Sequence, residues 1–154
     1  MSARLAHTAF GPKFVKHLIA ANQALDASGV PMTTLELMRI RASQINGCGG
    51  CLDMHTKEAT AAGESALRLN LVAAWREATV FTDAEKAALE LTEKGTRIAD
   101  GAGVSDEVWE NAAKHYDEQQ LGVLVEAIAL INAFTRMNVI TRQRGGEYRV
   151  GQFA

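Results

Sequence analysis

Apolar residues recur at intervals of three and four along most of the chain, which is the periodicity of amphipathic helices. In the first half, this pattern predicts helices over residues 12–29, 33–47 and 48–62, and a shorter, interrupted helix over residues 64–75. Pro12 stands where the first helix begins, and proline suits the first position of a helix. Glycines follow the last turns of the first three predicted helices, as is common at helix ends.

The second half of the chain continues the helical pattern. Thr82 and Glu85 have the spacing of a capping box that opens a helix reaching about residue 99, and Ser105 caps a short helix. The last predicted helix, residues 118–142, is apolar nearly all round in its middle, so it must be central in the domain or lie between subunits. We find no strand pattern, repeat or long linker. The sequence therefore predicts an all-α fold, a compact bundle of about six to seven helices forming a single domain over residues 1–154.

Composition narrows the class of protein. The chain has 154 residues, of which 47% are hydrophobic and 22% charged, with a formal net charge of -2. Such a chain can bury a core without a disulfide or a metal, and it is too apolar for a disordered protein. The charge balance shows no basic excess, so we expect neither nucleic acid nor a membrane surface as a partner. We see no uninterrupted apolar run of membrane-spanning length and no secretory signal, so we expect a cytoplasmic protein.

The chain has two cysteines, Cys48 and Cys51, separated by two residues. A secreted scaffold would use more cysteines, spread along the chain. Two cysteines at this spacing, in a chain without a recognisable signal, indicate redox chemistry or metal binding. The pattern therefore singles out this short segment as the place where chemistry is expected.

A helix that starts near Cys48 places Cys48, Cys51 and His55 on one face, about one turn apart. Backbone N–H groups at a helix N-terminus favour a thiolate, and His55 can take the thiol proton. A disulfide can close within the Cys-x-x-Cys turn. Glu36 lies on the preceding helix, and we expect it to reach His55 and orient the imidazole ring.

The segment from Glu36 to His55, ELMRIRASQINGCGGCLDMH, resembles the core motif of the alkyl hydroperoxidase D-like, carboxymuconolactone decarboxylase family. The redox branch of that family has a glutamate, then Cys-x-x-Cys twelve positions later, then a histidine four positions after the second cysteine. Glu36, Cys48, Cys51 and His55 match this spacing. The runs CLDMHTKEA, AAWRE and INAFTRMN extend the resemblance over residues 35–140.

The resemblance implies an all-α homo-oligomer (a dimer, trimer or hexamer) that reduces hydroperoxides without a metal or another cofactor. It assigns Cys51 as the peroxidatic thiol and Cys48 as the resolving thiol, with Glu36 and His55 as the proton relay. A dithiol or a thiol protein would restore the reduced state. In the best-studied type of this family a histidine precedes the second cysteine, whereas here Gly49 and Gly50 separate the two cysteines, which removes any side-chain relay at that point.

Several alternatives stay open. The same cysteine pair could serve a protein disulfide oxidoreductase or a redox sensor, because the small Gly49–Gly50 linker leaves space for a bulky partner. Glu36, Cys48, Cys51 and His55 could together bind zinc. The other branch of the family consists of lactone decarboxylases, which do not depend on a Cys-x-x-Cys pair. The chain could also be a helical oligomerisation module with vestigial cysteines.

Other polar residues have simpler interpretations. Glu36 has the spacing of a capping box with Thr33, and Ser43 is more simply a serine on the helix surface than a residue of the site. Asn132 and Asn138 lie on the very apolar last helix. Buried amides need hydrogen-bond partners, so we expect these two at an interface rather than in catalysis.

Overall fold

The computed structural model describes residues 2–152 of the chain. Within that range the chain forms seven α-helices and three short 3-10 segments, and no strand. The prediction of an all-α bundle is confirmed, and each predicted helix is present. The helices are α1 (Pro12–Asp26), α2 (Met32–Asn46), α3 (Gly49–Ala61), α4 (Ala66–Leu71), α5 (Asp83–Thr96), α6 (Asp106–Ala113) and α7 (Glu118–Thr141), with 3-10 segments at His7–Ala9, Val72–Glu77 and Ile98–Asp100.

Helix α2 lies at the centre of the bundle and packs against α3, α5 and α7. Leu35 and Met38 belong to a core cluster shared with α5, α6 and α7. Leu37 and Ile40 belong to a second cluster, which includes aromatic side chains that follow α4. Because two apolar clusters meet on this helix, its middle is buried on nearly every side. Any polar side chain there must find its partners inside the protein.

Helix α7, which the sequence places centrally in the domain or between subunits, packs against α1, α2, α3, α5 and α6 but is not covered on every side. It buries a stripe that includes Leu124 and Ile131, whereas Val125, Val139 and Ile140 are exposed. By length and composition α7 is also long and apolar enough to cross a membrane, although we found no uninterrupted apolar run. The core helix of a soluble protein has the same properties, so this feature is weak support for a membrane span.

Two predicted capping boxes have different outcomes. Thr82 and Glu85 form theirs, with both hydrogen bonds present at the start of α5. The predicted box between Thr33 and Glu36 is wrong: α2 begins at Met32 after Pro31, without a side-chain cap. The reason is that the Glu36 carboxylate is buried and bonded to other side chains, described below, and is therefore not available to the helix terminus.

Candidate active site

The turn between α2 and α3 determines where the cysteines lie. Gly47 ends α2 in the left-handed conformation, with φ at 65°, which glycine adopts without steric cost. The Cys48 N–H then donates to the Ser43 carbonyl at 3.0 Å, an arrangement that closes the end of α2. Helix α3 starts two residues after the turn and packs back against α2. Residues from the two helices thereby share one site.

The two cysteines are joined as a disulfide, with their Cα atoms 5.4 Å apart. Cys48 is the N-cap residue of α3 rather than a member of its first turn, where we had placed it. Its sulfur accepts a hydrogen bond from the Cys51 N–H at 3.2 Å. Cys48 is 1% exposed and Cys51 is 3% exposed, so both lie just beneath the surface at the positive end of the helix dipole.

Glu36 and His55 meet, as we expected if α2 and α3 fold against each other at Gly47. The Glu36 Oε2 atom lies 2.9 Å from His55 Nδ1, and both side chains are buried. Burial alone raises the pKa of Glu36, but the hydrogen bond from His55 and the positive charges of His55 and Arg39 outweigh it, so the pKa lies below its ordinary value. An ionised Glu36 accepts a hydrogen bond from Nδ1–H, which leaves the opposite ring nitrogen, Nε2, to exchange protons.

A buried guanidinium completes this charge network, and sequence reasoning missed it. Arg39 donates to Glu36 Oε1 at 2.7 Å and to Asp26 Oδ1 at 2.6 Å. The i,i+3 spacing of Glu36 and Arg39 on one helix is the signal that could have found the pair. Ser43 is not a surface serine, as we had expected, but is fully buried and donates to the Arg39 carbonyl oxygen at 2.7 Å.

Both asparagines of α7 find hydrogen-bond partners within this subunit. The Asn132 amide donates to Thr96 Oγ1 at 3.1 Å and accepts from Asn46 Nδ2 at 2.9 Å. Asn138 reaches the disulfide, with its Nδ2 atom 3.3 Å from the Cys51 sulfur. The structure thus brings a third helix, α7, to the cysteine pair.

The polar tail, which the helical pattern left unassigned, crosses the start of α3. We call residues 144–152 the C-terminal strap. The backbone N–H groups of Gly146 and Tyr148 donate to Asp53 Oδ2 at 2.5 and 2.9 Å. Hydrogen bonds from Lys57 and from those two backbone N–H groups keep the pKa of Asp53 below its ordinary value. The strap therefore lies against the first turns of α3 beside the cysteines.

Gly145 makes the close approach of the strap possible. A Cβ atom at position 145 would overlap the Gly49 carbonyl oxygen, and a Cβ at Gly50 would lie 3.5 Å from the Arg144 carbonyl oxygen. The space beside the Gly49–Gly50 linker, which we had expected to admit a bulky partner, is therefore occupied by the chain itself. A small, mostly apolar cavity between the start of α2 and the end of α3 has Glu36 in its wall.

The arrangement supplies a redox pair, a histidine one turn after the second sulfur and a carboxylate that orients the imidazole. Across residues 2–152, no group of three or more Cys, His, Asp and Glu side chains is placed to hold a metal ion.

Comparisons with known proteins agree with the fold and the motif. The chain is 38% identical over 144 residues to the uncharacterised protein YdfG of Bacillus subtilis, which covers 94% of this chain and 97% of that protein. A protein of unknown function from Agrobacterium tumefaciens, ATU0492, suggested to be the antioxidant defence protein AhpD, superposes with a TM-score of 0.89. Those two chains are 31% identical, and the match covers 96% of this chain and 100% of the other.

A more distant structure shares the fold alone. The apo form of the debrominase Bmp8 superposes with a TM-score of 0.79 at 18% identity, over 88% of this chain and 73% of that one.

Residues 12–94, which include all four residues of the motif, match the carboxymuconolactone decarboxylase family. The chain belongs to that family and carries its cysteine pair at disulfide distance.

Proposed function

We propose that this protein is a thiol-dependent peroxidase that reduces hydroperoxides at Cys51 and Cys48, with Glu36 and His55 as the proton relay. The observation that carries the proposal is the buried hydrogen bond between the Glu36 carboxylate and His55, one turn after Cys51 on the same helix. A histidine held by a carboxylate, one turn along the helix from a cysteine, is an arrangement that can activate a nucleophile. The relative from Agrobacterium tumefaciens, suggested to act in antioxidant defence, supports the same assignment.

The first step oxidises Cys51. Its thiolate attacks one peroxide oxygen, so an S–O bond forms and the O–O bond breaks. The leaving oxygen takes a proton from His55 and departs as an alcohol, or as water when hydrogen peroxide is the substrate. Sulfur loses two electrons, the peroxide gains them, and Cys51 becomes a sulfenic acid.

The second step uses Cys48. Its thiol gives its proton to His55, and the thiolate attacks the Cys51 sulfur, so the S–S bond forms and the S–O bond breaks. The hydroxide leaves with a proton as water. An external dithiol, or a thiol protein, then reduces the disulfide by exchange and is itself oxidised.

Glu36 has a distinct part in this cycle. Because its pKa is below the ordinary value, it stays ionised at neutral pH and holds the proton on Nδ1 of His55. Nε2 then accepts and returns the proton during both steps. The negative charge of Glu36 also stabilises the imidazolium that forms after the thiol is deprotonated.

The same pair could instead act on protein disulfides, as an oxidoreductase or a redox sensor. Two observations favour a small substrate: both cysteines are buried, and the strap fills the space beside Gly49 and Gly50. A lactone decarboxylase is the remaining alternative within the family, and its turnover would not require the cysteines.

We also propose that the chain forms a homo-oligomer in the cytoplasm, where thiol reductants can recycle the pair. Exposed Val125, Val139 and Ile140 give α7 an apolar outer face that a second subunit could cover. Light scattering on the eluting peak in gel filtration checks this, and a monomer at micromolar concentration would contradict it.

The test of the catalytic proposal is the consumption of cumene hydroperoxide and hydrogen peroxide with dithiothreitol as the reductant. Wild type should turn over both substrates, whereas Cys51→Ser should be inactive. Cys48→Ser, treated with one equivalent of peroxide without dithiothreitol, should stop at the Cys51 sulfenic acid, which dimedone captures. Equal rates for wild type and Cys51→Ser contradict the proposal, and reduction of insulin disulfides without peroxide turnover favours the oxidoreductase.

A further inference from the structure

Asn138 touches one of the two reacting sulfurs from a different helix. Its Nδ2 atom lies 3.3 Å from Cys51 Sγ, although the two residues are 87 positions apart. Nδ2 is the donor half of the amide, and a sulfur that carries or gains negative charge is an acceptor. The opposite orientation would place the amide oxygen against the sulfur, where two acceptors would repel.

The end of α7 holds Asn138 at this point. Its carbonyl oxygen accepts from the Gln143 N–H at 2.9 Å, while Arg142 adopts the left-handed conformation that ends the helix. One turn earlier, Thr135 is completely buried and donates to the Asn132 carbonyl. Hydrogen bonds on both sides of Asn138 therefore fix the backbone from which its side chain projects towards Cys51.

Gly50 lies close to the contact between Asn138 and Cys51. A Cβ atom at position 50 would lie 3.9 Å from Asn138 Nδ2, an ordinary van der Waals distance. Alanine would therefore fit there without moving the amide, whereas a longer side chain at this position would compete with the amide for space.

We infer that Asn138 is a further catalytic residue, which donates its amide N–H to the Cys51 thiolate. A hydrogen bond to a charged acceptor is stronger than one to a neutral thiol or disulfide sulfur, so the contact favours the thiolate over both. It therefore makes Cys51 more acidic and stabilises the reduced pair against the disulfide. Its use in turnover rests on the proposed peroxidase function, whereas its effect on the acidity of Cys51 does not.

The test is the pH dependence of iodoacetamide alkylation at each cysteine of the reduced protein, resolved by mass spectrometry. Asn138→Leu, which keeps the size and removes the donor, should raise the pKa of Cys51 by about one unit or more. It should also make the Cys48–Cys51 disulfide harder to reduce in a redox titration against dithiothreitol. The matched control is Asn70→Leu, the same change at an exposed asparagine of α4, which should leave the Cys51 pKa unchanged.

Asn138→Asp keeps the inference testable if the leucine variant does not fold. It places a carboxylate beside the sulfur and should raise the Cys51 pKa further than the loss of the donor does. A folded variant of either kind whose Cys51 titrates as in wild type overturns the role of Asn138.

Peroxide turnover separates this inference from the proposed function. If Asn138→Leu changes the Cys51 pKa while the wild-type protein has no peroxidase activity, the Asn138 contact is supported and the peroxidase function is rejected. Conversely, if wild type is an active peroxidase and Asn138→Leu changes neither the Cys51 pKa nor the rate constant for peroxide, only the role of Asn138 fails.

Discussion

The Glu36 carboxylate accepts a hydrogen bond from His55 Nδ1 at 2.9 Å, across the contact between α2 and α3. The other carboxylate oxygen is held by Arg39, so both oxygens of Glu36 are engaged inside the protein. This relationship fixes the orientation of the imidazole ring one turn after Cys51. It also couples the chemistry of the site to the charge network that stabilises the centre of the bundle.

Glu36→Gln should slow peroxide reduction while leaving the fold intact. The amide keeps the shape of the side chain but loses the charge that orients His55 and stabilises its protonated form. We expect the second-order rate constant for peroxide to fall by about 10- to 100-fold, in the range of general acid–base contributions. Stopped-flow measurement of Cys51 oxidation checks this. Glu126→Gln, an exposed change on α7, is the matched control. If the rate constant falls equally in both variants, Glu36 is not part of a proton relay.

The same substitution should change how stability depends on pH. Because the folded-state pKa of Glu36 is below its ordinary value of 4.5, its ionisation stabilises the fold above that pH, and this contribution is lost as pH falls through the folded pKa. Glu36→Gln should therefore be less stable than wild type at pH 7, and the difference should shrink in acid. Urea unfolding at pH 7 and below pH 4 measures both, and a pH-independent difference would contradict the coupling.

Arg39→Met should destabilise the protein strongly. The guanidinium is 2% exposed and pairs with both Asp26 and Glu36, so its removal leaves two carboxylates without their common partner. Breaking a buried pair of this kind costs about 3–5 kcal/mol. Chemical denaturation is the measurement, with exposed Arg97→Met as the control. A loss below about 1 kcal/mol would mean that the network adds little to the free energy of unfolding.

The sequence predicts the helices because they depend on local spacing, whereas the Glu36–His55 contact was expected from two helices that fold against each other at Gly47. Helical periodicity places Cys51 and His55 on one face, and Gly47 indicates the turn that brings Glu36 opposite. Asn138 could not be found in this way, since its contact with Cys51 joins residues 87 positions apart on helices whose relative placement is set by packing. Which side of α7 would be exposed was equally out of reach, because an apolar helix can be covered by its own chain or by a second subunit.

The C-terminal strap was not predictable for a different physical reason. Residues 144–152 have no apolar periodicity, and what holds them is mainly hydrogen bonding to α3. Asp53 and Glu58 accept from backbone N–H groups of the strap, and Lys57 donates to the Tyr148 carbonyl oxygen at 2.9 Å. A pattern of polar residues does not reveal which backbone donors they will meet.

Asp53→Asn should loosen the strap. The substitution removes the charge that accepts two backbone hydrogen bonds and pairs with Lys57. We expect faster reduction of the Cys48–Cys51 disulfide by dithiothreitol, by several-fold, and new tryptic cleavage after Arg144 or Arg149. Glu147→Gln, an exposed change of the same charge within the strap, is the control. Unchanged reduction and proteolysis would show that the strap does not limit access to the disulfide.

Substitutions at Gly50 separate helix stability from access to Cys51. In Gly50→Ala, the new Cβ makes only ordinary contacts with Arg144 and Asn138, and alanine is the better residue in a helix. We expect a gain of about 0.5–1 kcal/mol in stability, or about 1–4 °C in melting temperature, with the Cys51 pKa unchanged. In Gly50→His, the imidazole must displace the Arg144 backbone or the Asn138 amide. That variant should lose the gain in stability and alter the Cys51 pKa. If the two variants behave alike in melting and alkylation, the space beside Gly50 is not restricted by α7 and the strap.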